Sequence, residues 1–488
     1  MKTVIDTLFD RDSGKAVLAT FNGNYTAEAM KEKVHYYEEI LKDQELSQKK
    51  VGLLVPMIDS YLALFLAVNK LGGTVIPLSW QFRQEDLTNV LDYLDPHIVF
   101  TVEVHNGFAF GDAVQTWAES TNRETVVYTA ASSNEWARQT YKGETKPLEQ
   151  NDIPIIVCSS GSTGTPKGLI CQPDFVDALY RVLPELTDFQ PEDSVLLIAP
   201  PTSSAGLAFF LYGIYSGATV AFAESFDFKK MTNLVRDNKC NKIIGTPSIF
   251  KAIFQIAKEL DPEILKNMKL VGLAGEKITT DYKDQFEFMD DCTFTSMYGN
   301  TEAGVIGQSV LEDKVEFTLL KETRHKIKDG ELLIKSPTSF GGYYKNPELT
   351  KELFDENGWI FTGDMVRETE PGKFEMIGRK RDIIKKGGQQ VVPAEVEKIL
   401  VQYSKVKQAV VLGAPHDVFG EQIVGFIVPS GELDLKDLSY FCAQRIAGYK
   451  VPDHLKVLSE IPVSQGKVDK VTLRKMFMEN RTEEPVSG

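Results

Sequence analysis

The sequence predicts an α/β protein: a large N-terminal domain of helix-covered parallel sheets with a small β-subdomain, then a C-terminal α+β domain. Three observations predict it. Short apolar runs alternate with stretches of helical period from residue 51 to about residue 275. The length, 488 residues, exceeds what one hydrophobic core serves. After about Glu331 the pattern shifts to short strands around a Pro371-Gly372-Lys373 turn.

Residues 51–55 are strand-like. Residues 61–71 then place Tyr61, Leu64, Phe65 and Val68 on one helical face and stop at Gly72-Gly73. A strand over 74–78, a helix over 85–94 and a strand over 97–101 follow, and the rhythm returns with strands at 194–199, 218–223, 242–246 and 270–275. The uncharged run 205–223 approaches the length of a membrane span. Ser216-Gly217 divides it into a helical half and a β-branched half, and no basic residues flank it, so it predicts a buried helix and a buried strand. Short strands over 331–336, 359–363 and 374–378 lead to Arg379-Lys380-Arg381-Asp382, where the domain boundary falls: residues 1–379, a junction at 380–382, and residues 383–488. In the last part a helix begins at Pro393, with Glu395 near its positive end and Val396, Ile399, Leu400 and Tyr403 on one face. Strands over 408–412 and 423–428 and a helix over 437–446 complete it.

The composition, 42% apolar and 25% charged, is that of a globular protein. A net charge of −15 repels phosphate backbones and anionic lipid, so neither nucleic acid nor a membrane surface is an expected partner. Five scattered cysteines without a CxxC pair predict buried thiols in a reducing, cytoplasmic setting, not a disulfide framework or zinc site. The six histidines show no HxxxH spacing. The N-terminus lacks the apolar core of a secretory signal.

The chemistry-bearing run is Ser159-Ser160-Gly161-Ser162-Thr163-Gly164-Thr165-Pro166-Lys167-Gly168, directly after a buried strand over 153–157. Glycines let successive backbone N–H groups approach an anion, hydroxyls add donors without bulk, and Lys167 adds a mobile positive charge. It is not a Walker A loop, which ends in Gly-Lys-Ser/Thr; here Pro166 precedes the lysine and Gly168 follows.

SSGSTGTPKG resembles the TSGTTGxPKG signature of the adenylate-forming, AMP-binding superfamily, which holds acyl-CoA synthetases, nonribosomal peptide synthetase adenylation domains and firefly luciferase. Further matches follow in the family's order. Leu273-Ala274-Gly275-Glu276 resembles the strand end against which adenine lies, although Ala274 replaces the first glycine of the usual pair. Tyr298-Gly299-Asn300-Thr301-Glu302-Ala303-Gly304 resembles YGxTE, which implies that Tyr298 stacks on adenine, Thr301 contacts phosphate and Glu302 binds Mg²⁺. Met297 joins the nucleotide side, and Ala303 and Gly304 the acyl pocket. Thr362-Gly363-Asp364 is similar to TGD, whose carboxylate accepts both ribose hydroxyls, and Gly378-Arg379 to the following GR. Lys385-Lys386-Gly387-Gly388 and Ser464-Gln465-Gly466-Lys467 close the series, Lys467 standing where the family has its catalytic lysine. The similarity runs from about residue 51 to residue 470.

The resemblance implies a two-step ligase. A small carboxylic acid attacks the α-phosphorus of ATP, with Lys467, Glu302 and Arg379 as catalytic groups and the 159–167 loop on the leaving pyrophosphate. A thiol, of CoA or of a phosphopantetheine, then takes the acyl group after the C-terminal domain turns about Arg381 and presents Lys385 and Gly388 to the acceptor tunnel. Many relatives carry Asp or Lys at the hinge, so Arg381 departs in identity. The acyl pocket falls on Thr202, Ser203, Ser204 and Gly206, with Ser203 where many relatives carry histidine, and no Asp stands between Pro200 and Gly206 to hold an amino-acid ammonium. Aryl, short or medium acyl, and specialised biosynthetic acids, of fatty-acid or secondary metabolism, all stay open. So does the acceptor: a carboxylate–CoA ligase, a stand-alone enzyme loading an acyl or peptidyl carrier protein, and an acyl-adenylate-binding pseudoenzyme are the three readings.

Overall fold

The computed structural model describes residues 14–479 apart from 133–134, 147, 149–152, 160–165, 226, 277, 279, 290, 312–314, 388, 417 and 465–466. Of Ser159 and Lys467 it describes the backbone alone. The chain divides into two units, Met1–Arg324 with Ile334–Ile360, and His325–Leu333 with Phe361–Gly488.

The first unit holds two sheets with parallel centres. In one, Lys50–Leu54 lies between Thr74–Pro77 and Ile98–Val102, and Ile155–Ser159 and Thr125–Ser132 extend the parallel array on either side. Antiparallel strands Lys167–Cys171 and Glu135–Tyr141 close its edges. Every residue of Lys50–Leu54 and Ile98–Val102 is buried, as expected of strands covered on both faces. In the other sheet, Thr219–Phe222, Ser194–Leu197, Lys242–Gly245, Leu270–Leu273 and Thr293–Asn300 are parallel neighbours in that order. Thr293–Asn300 then turns back into the antiparallel strand Gly304–Val310.

The alternation of apolar runs was therefore a sound guide to these strands. The 205–223 run becomes a helix, Ser204–Ser216, and a strand, Thr219–Phe222, separated by Gly217 at φ +85°. That backbone conformation costs glycine little, which is why the helix ends there. Among the described residues no helix is long and apolar enough to cross a membrane. All five cysteines are buried free thiols.

Beside the second sheet, the helix Pro247–Leu260 brings Phe250 and Phe254 onto Phe286 at ring distances of 4.9 Å each, while Phe286 stacks on Phe294 of the sheet at 5.5 Å. This aromatic knot joins the helix to strand Thr293–Asn300, whose far end carries Tyr298.

The second unit contains a hairpin, Ile360–Glu370 and Lys373–Arg379, turning at Pro371-Gly372. It also contains a sheet in which Val406–His416 and Gly420–Pro429 pair antiparallel along their length. Side chains alternate across that pair. Val411, Ile423 and Ile427 face helices Pro393–Leu400 and Leu435–Ala443 through Val396, Leu400, Leu438 and Cys442. Val410, Leu412, Val424 and Phe426 face the helix Lys470–Glu479 through Leu473 and Phe477.

Phe286→Ala removes the ring shared by Phe250, Phe254, Tyr282 and Phe294. Urea unfolding should show a loss of about 3–5 kcal/mol; a loss below about 1 kcal/mol would remove the knot as an anchor of the second sheet.

Candidate active site

The sequence motifs of the first unit stand at carboxyl ends of parallel strands, where α/β sheets bind ligands. Ile155–Ser159 runs into the Ser/Gly-rich loop, and the chain returns as Lys167–Cys171, with Ser159 opposite Lys167 in the antiparallel register. Ser160, Gly161, Ser162, Thr163 and Gly164 lie outside the described residues. The hairpin thus fixes where the loop leaves and re-enters.

On the outer side of Lys167–Cys171 the chain lays down one more extended piece. Tyr344 N donates to Gly168 O at 2.7 Å, Ile170 N to Gly342 O at 3.0 Å, and Gly341 N to Ile170 O at 2.8 Å. This pairing puts Tyr343 beside the loop's exit. Lys167 Nζ lies 5.6 Å from the centre of the Tyr343 ring, and the Tyr343 hydroxyl donates to Glu302 Oε1 at 2.7 Å. Burial, and then the bond to Glu302, push the Tyr343 phenol above its ordinary value, so it keeps its proton and acts as a donor. Glu302 is held by its backbone too, its carbonyl accepting from Phe340 N at 3.0 Å. Within the same turn Ala303 N donates to Asn300 Oδ1 at 2.7 Å, and Ser339 Oγ to Ala303 O at 3.3 Å. Gly304 sits at φ +74°, where a Cβ would come 2.7 Å from Thr338 O. Tyr343 escaped the sequence reading. Its signal was the run Phe340-Gly341-Gly342-Tyr343-Tyr344 just before the Asn346-Pro347 helix start.

The strand Thr293–Asn300 buries Met297 and Tyr298, whose ring lies 5.3 Å from that of Phe317. Gly299 and Thr301 are half-buried. After Leu270–Leu273, Ala274 N still donates to Gly245 O at 2.9 Å, and Gly275 turns at φ +87°. Glu276 then accepts from the amide of Ser248 at 3.3 Å and from its hydroxyl, at the start of helix Pro247–Leu260.

Within residues 200–206, Ser203 is committed to backbone. Its hydroxyl donates to Pro200 O at 2.8 Å and accepts from Gly206 N at 3.2 Å, capping the helix Ser204–Ser216. Thr202 is buried, Ser204 is half-buried, and Gly206 lies too close to the Pro200 carbonyl for any side chain. The buried Tyr61 hydroxyl donates to Pro201 O at 3.0 Å. A cavity of about 140 Å³ opens nearby between Trp80, Arg83, Ile198, Pro200, Phe222 and Glu224. Burial, and then the negative Asp59, push the Glu224 carboxyl up to about 7. Asp59 is itself paired with Lys33.

In the second unit Asp364 and Arg379 face each other across the hairpin. Asp364 is fully buried, and Arg379 Nε meets its Oδ1 at 2.8 Å. Thr362 Oγ1 donates to Leu332 O at 2.6 Å and accepts from Asp364 N at 3.1 Å, while Gly363 N donates to Glu331 Oε1 at 3.0 Å. Arg381 is exposed in the short turn Lys380–Asp382, and Lys385 is exposed with its amide on Glu421 Oε2 at 2.6 Å. Gly388 lies outside the described residues. The Lys467 backbone pairs with Ser464 between two short strands, two residues before Asp469, which caps the helix Lys470–Glu479.

The family model described as AMP-binding enzyme matches residues 10–344, and that of the AMP-binding enzyme C-terminal domain matches residues 395–466. The medium-chain fatty-acid–CoA ligase of Escherichia coli strain K12 is 24% identical over 475 residues, covering 90% of this chain and 83% of that protein. The malonate–CoA ligase of Arabidopsis thaliana is 25% identical over 479 residues, covering 88% of this chain and 78% of that protein. The crystal structure of ATP-bound MatB from Rhodopseudomonas palustris superposes with a TM-score of 0.83 at 21% identity, covering 98% of this chain and 99% of that one.

The folded protein holds the Glu224 proton more tightly than the unfolded chain, where a glutamate titrates near about 4.3. Its stability should therefore fall as pH rises from about 4.3 to about 7. Glu224→Gln should melt higher than the unsubstituted protein at about pH 8 and close to it near pH 5. Equal melting temperatures at both pH values would dismiss the raised Glu224 carboxyl.

Proposed function

Because the chain belongs to the AMP-binding enzyme family, we propose that it activates a carboxylic acid as its acyl-adenylate and passes the acyl group to the thiol of CoA. The observation that supports this most directly is the joining of Lys167 and Glu302 on one aromatic ring, which offers a cation for phosphate and a carboxylate for its counter-ion side by side. CoA ligases among the relatives, named for a medium-chain fatty acid, malonate and ferulate, support the acceptor.

In the first step an acid oxygen bonds to the α-phosphorus of ATP and the bond to the β-phosphate breaks, releasing pyrophosphate. Two anions must meet, so the site has to neutralise charge and align the reactants. Lys467 serves the reacting carboxylate and α-phosphate, and the 159–167 loop holds the leaving group. Asp364, paired with Arg379, accepts the ribose hydroxyls. Among the described residues no group of three or more His, Cys, Asp or Glu could hold a metal ion. A lone carboxylate therefore fits Mg²⁺, which takes one or two protein oxygens and completes its shell from nucleotide phosphates. The Mg²⁺ expected at Glu302 supplies charge neutralisation on the leaving pyrophosphate.

In the second step the thiol sulfur bonds to the acyl carbon and AMP leaves. The C-terminal domain, residues 383–488, turns about the hinge at 380–382 to bring Lys385 and Gly388 to the acceptor tunnel. A common α-amino acid is disfavoured as substrate, since residues 200–206 carry no carboxylate to pair its ammonium.

Pyrophosphate release across a panel of acids, followed by mass analysis with CoA and with a holo carrier protein, tests the whole reading. No release with any acid would leave an acyl-adenylate-binding module, and acylation of the carrier protein alone would move the second step to that acceptor. Lys467→Ala should lower adenylation by at least about a hundredfold yet still form thioester from supplied acyl-adenylate; retained pyrophosphate exchange would refute the role. Arg381→Pro should stop thioester formation and spare adenylation, and an unchanged second step would count against the hinge.

A further inference from the structure

Tyr343 and Tyr344 are consecutive in an extended segment, so their side chains leave on opposite sides. Tyr344 faces the sheet: its hydroxyl accepts from Lys50 Nζ at 2.7 Å, and its carbonyl accepts from the Tyr93 hydroxyl. Tyr343 faces the other way, with Lys167 over its ring and Glu302 at its hydroxyl. Nothing in the sequence motifs gives either tyrosine a role.

The backbone that carries Tyr343 has little freedom. Its amide donates to Thr350 Oγ1 at 2.9 Å, and the Thr350 hydroxyl donates to Asn346 O at 2.8 Å. Gly342 sits at φ +135°, and a Cβ there would meet Thr350 Cγ2 at 2.6 Å; one on Gly341 would collide with the Gln172 amide. The ladder to Gly168 and Ile170 holds the other edge. Thus the hydroxyl is presented to Glu302 from a fixed mount.

We propose that Tyr343 is a positioning residue: its hydroxyl bonds Glu302 Oε1, turning the other carboxylate oxygen toward a nucleotide-bound divalent cation, while Lys167 on its ring face strengthens the bond. This rests on the proposed nucleotide site at Glu302. A free glutamate rotates about three torsions, and each binding event would have to freeze them. A hydrogen bond to one oxygen removes that cost beforehand and leaves the carboxylate charged. Among the described residues nothing else bonds the Glu302 carboxylate. A cation over a phenol ring draws electron density from it, so the hydroxyl donates more strongly. The loop lysine and the metal carboxylate are thereby coupled through one side chain.

The test is Tyr343→Phe, which keeps the ring and its lysine and deletes only the donor. Titration of Mn²⁺ into the full-length protein with ATP, read by electron paramagnetic resonance, should show half-saturation at about tenfold higher metal. The Mg²⁺ dependence of pyrophosphate release should move by the same factor, with the rate at saturating Mg²⁺ within about twofold and the melting temperature unchanged. In a Glu302→Gln background the Tyr343→Phe change should shift nothing further. Tyr344→Phe, whose hydroxyl bonds Lys50 instead, should leave the metal titration where it was. An unmoved titration in Tyr343→Phe overturns the proposal, as does an equal shift in the Glu302→Gln background or in Tyr344→Phe. The Mn²⁺ titration needs no acid substrate, so a protein that binds metal–ATP but activates no acid fails the ligase reading and still decides this one.

Discussion

Parallel strands end together, and this constraint organises the first unit. The ladder that aligns Leu270–Leu273 with Thr293–Asn300, and Ser194–Leu197 with Lys242–Gly245, also aligns the segments that follow them. Residues 200–206, 274–276 and 298–304 are therefore neighbours by topology before any side chain is considered. In the other sheet the same rule puts the Ser/Gly-rich loop beyond Ile155–Ser159, and the antiparallel return of Lys167–Cys171 fixes its exit. A nucleotide with a charged tail requires several groups from distant parts of the chain at one edge. Strand register supplies that without a special interaction for each.

Buried charge is the second requirement. Asp364 is fully buried, and an isolated carboxylate there would be costly. Arg379 on the facing strand compensates it, and Thr362 and Glu331 tie down the backbone around the pair. Because the pair sits directly across a hairpin, its geometry follows from register and not from long, flexible side chains. Removing Arg379 would take the counter-charge from a fully buried carboxylate.

Most strands of the two parallel sheets were legible as apolar runs, because burial on both faces leaves few polar residues in them. The helix-and-strand reading of 205–223 was legible from Gly217, whose φ of +85° few other residues adopt cheaply. What the sequence concealed was made by contacts across long separations. Lys167–Cys171 did not stand out as a strand, since its polar end belongs to a loop motif and its partners lie on both sides. Tyr343 became visible only when 341–344 was seen to pair with 168–170. Ser203 showed the converse: its place in a motif suggested an acyl contact, while its hydroxyl is spent on capping a helix. Lys467 and the Ser/Gly-rich loop rest on their motifs alone, since residues 160–165 and the Lys467 side chain lie outside what the structure describes.

The helix Lys470–Glu479 has a consequence for the integrity of the whole protein. It covers one face of Val406–His416 and Gly420–Pro429 with Leu473 and Phe477, and its cap, Asp469, stands two residues beyond Lys467. A nick or frameshift in this stretch would at once loosen the lysine and uncover Val410, Leu412, Val424 and Phe426, a sticky apolar surface of the kind that proteases and chaperones recognise. Loss of the Lys467 mount and a signal for disposal are thus the same event. A cell would not accumulate copies that lack this helix.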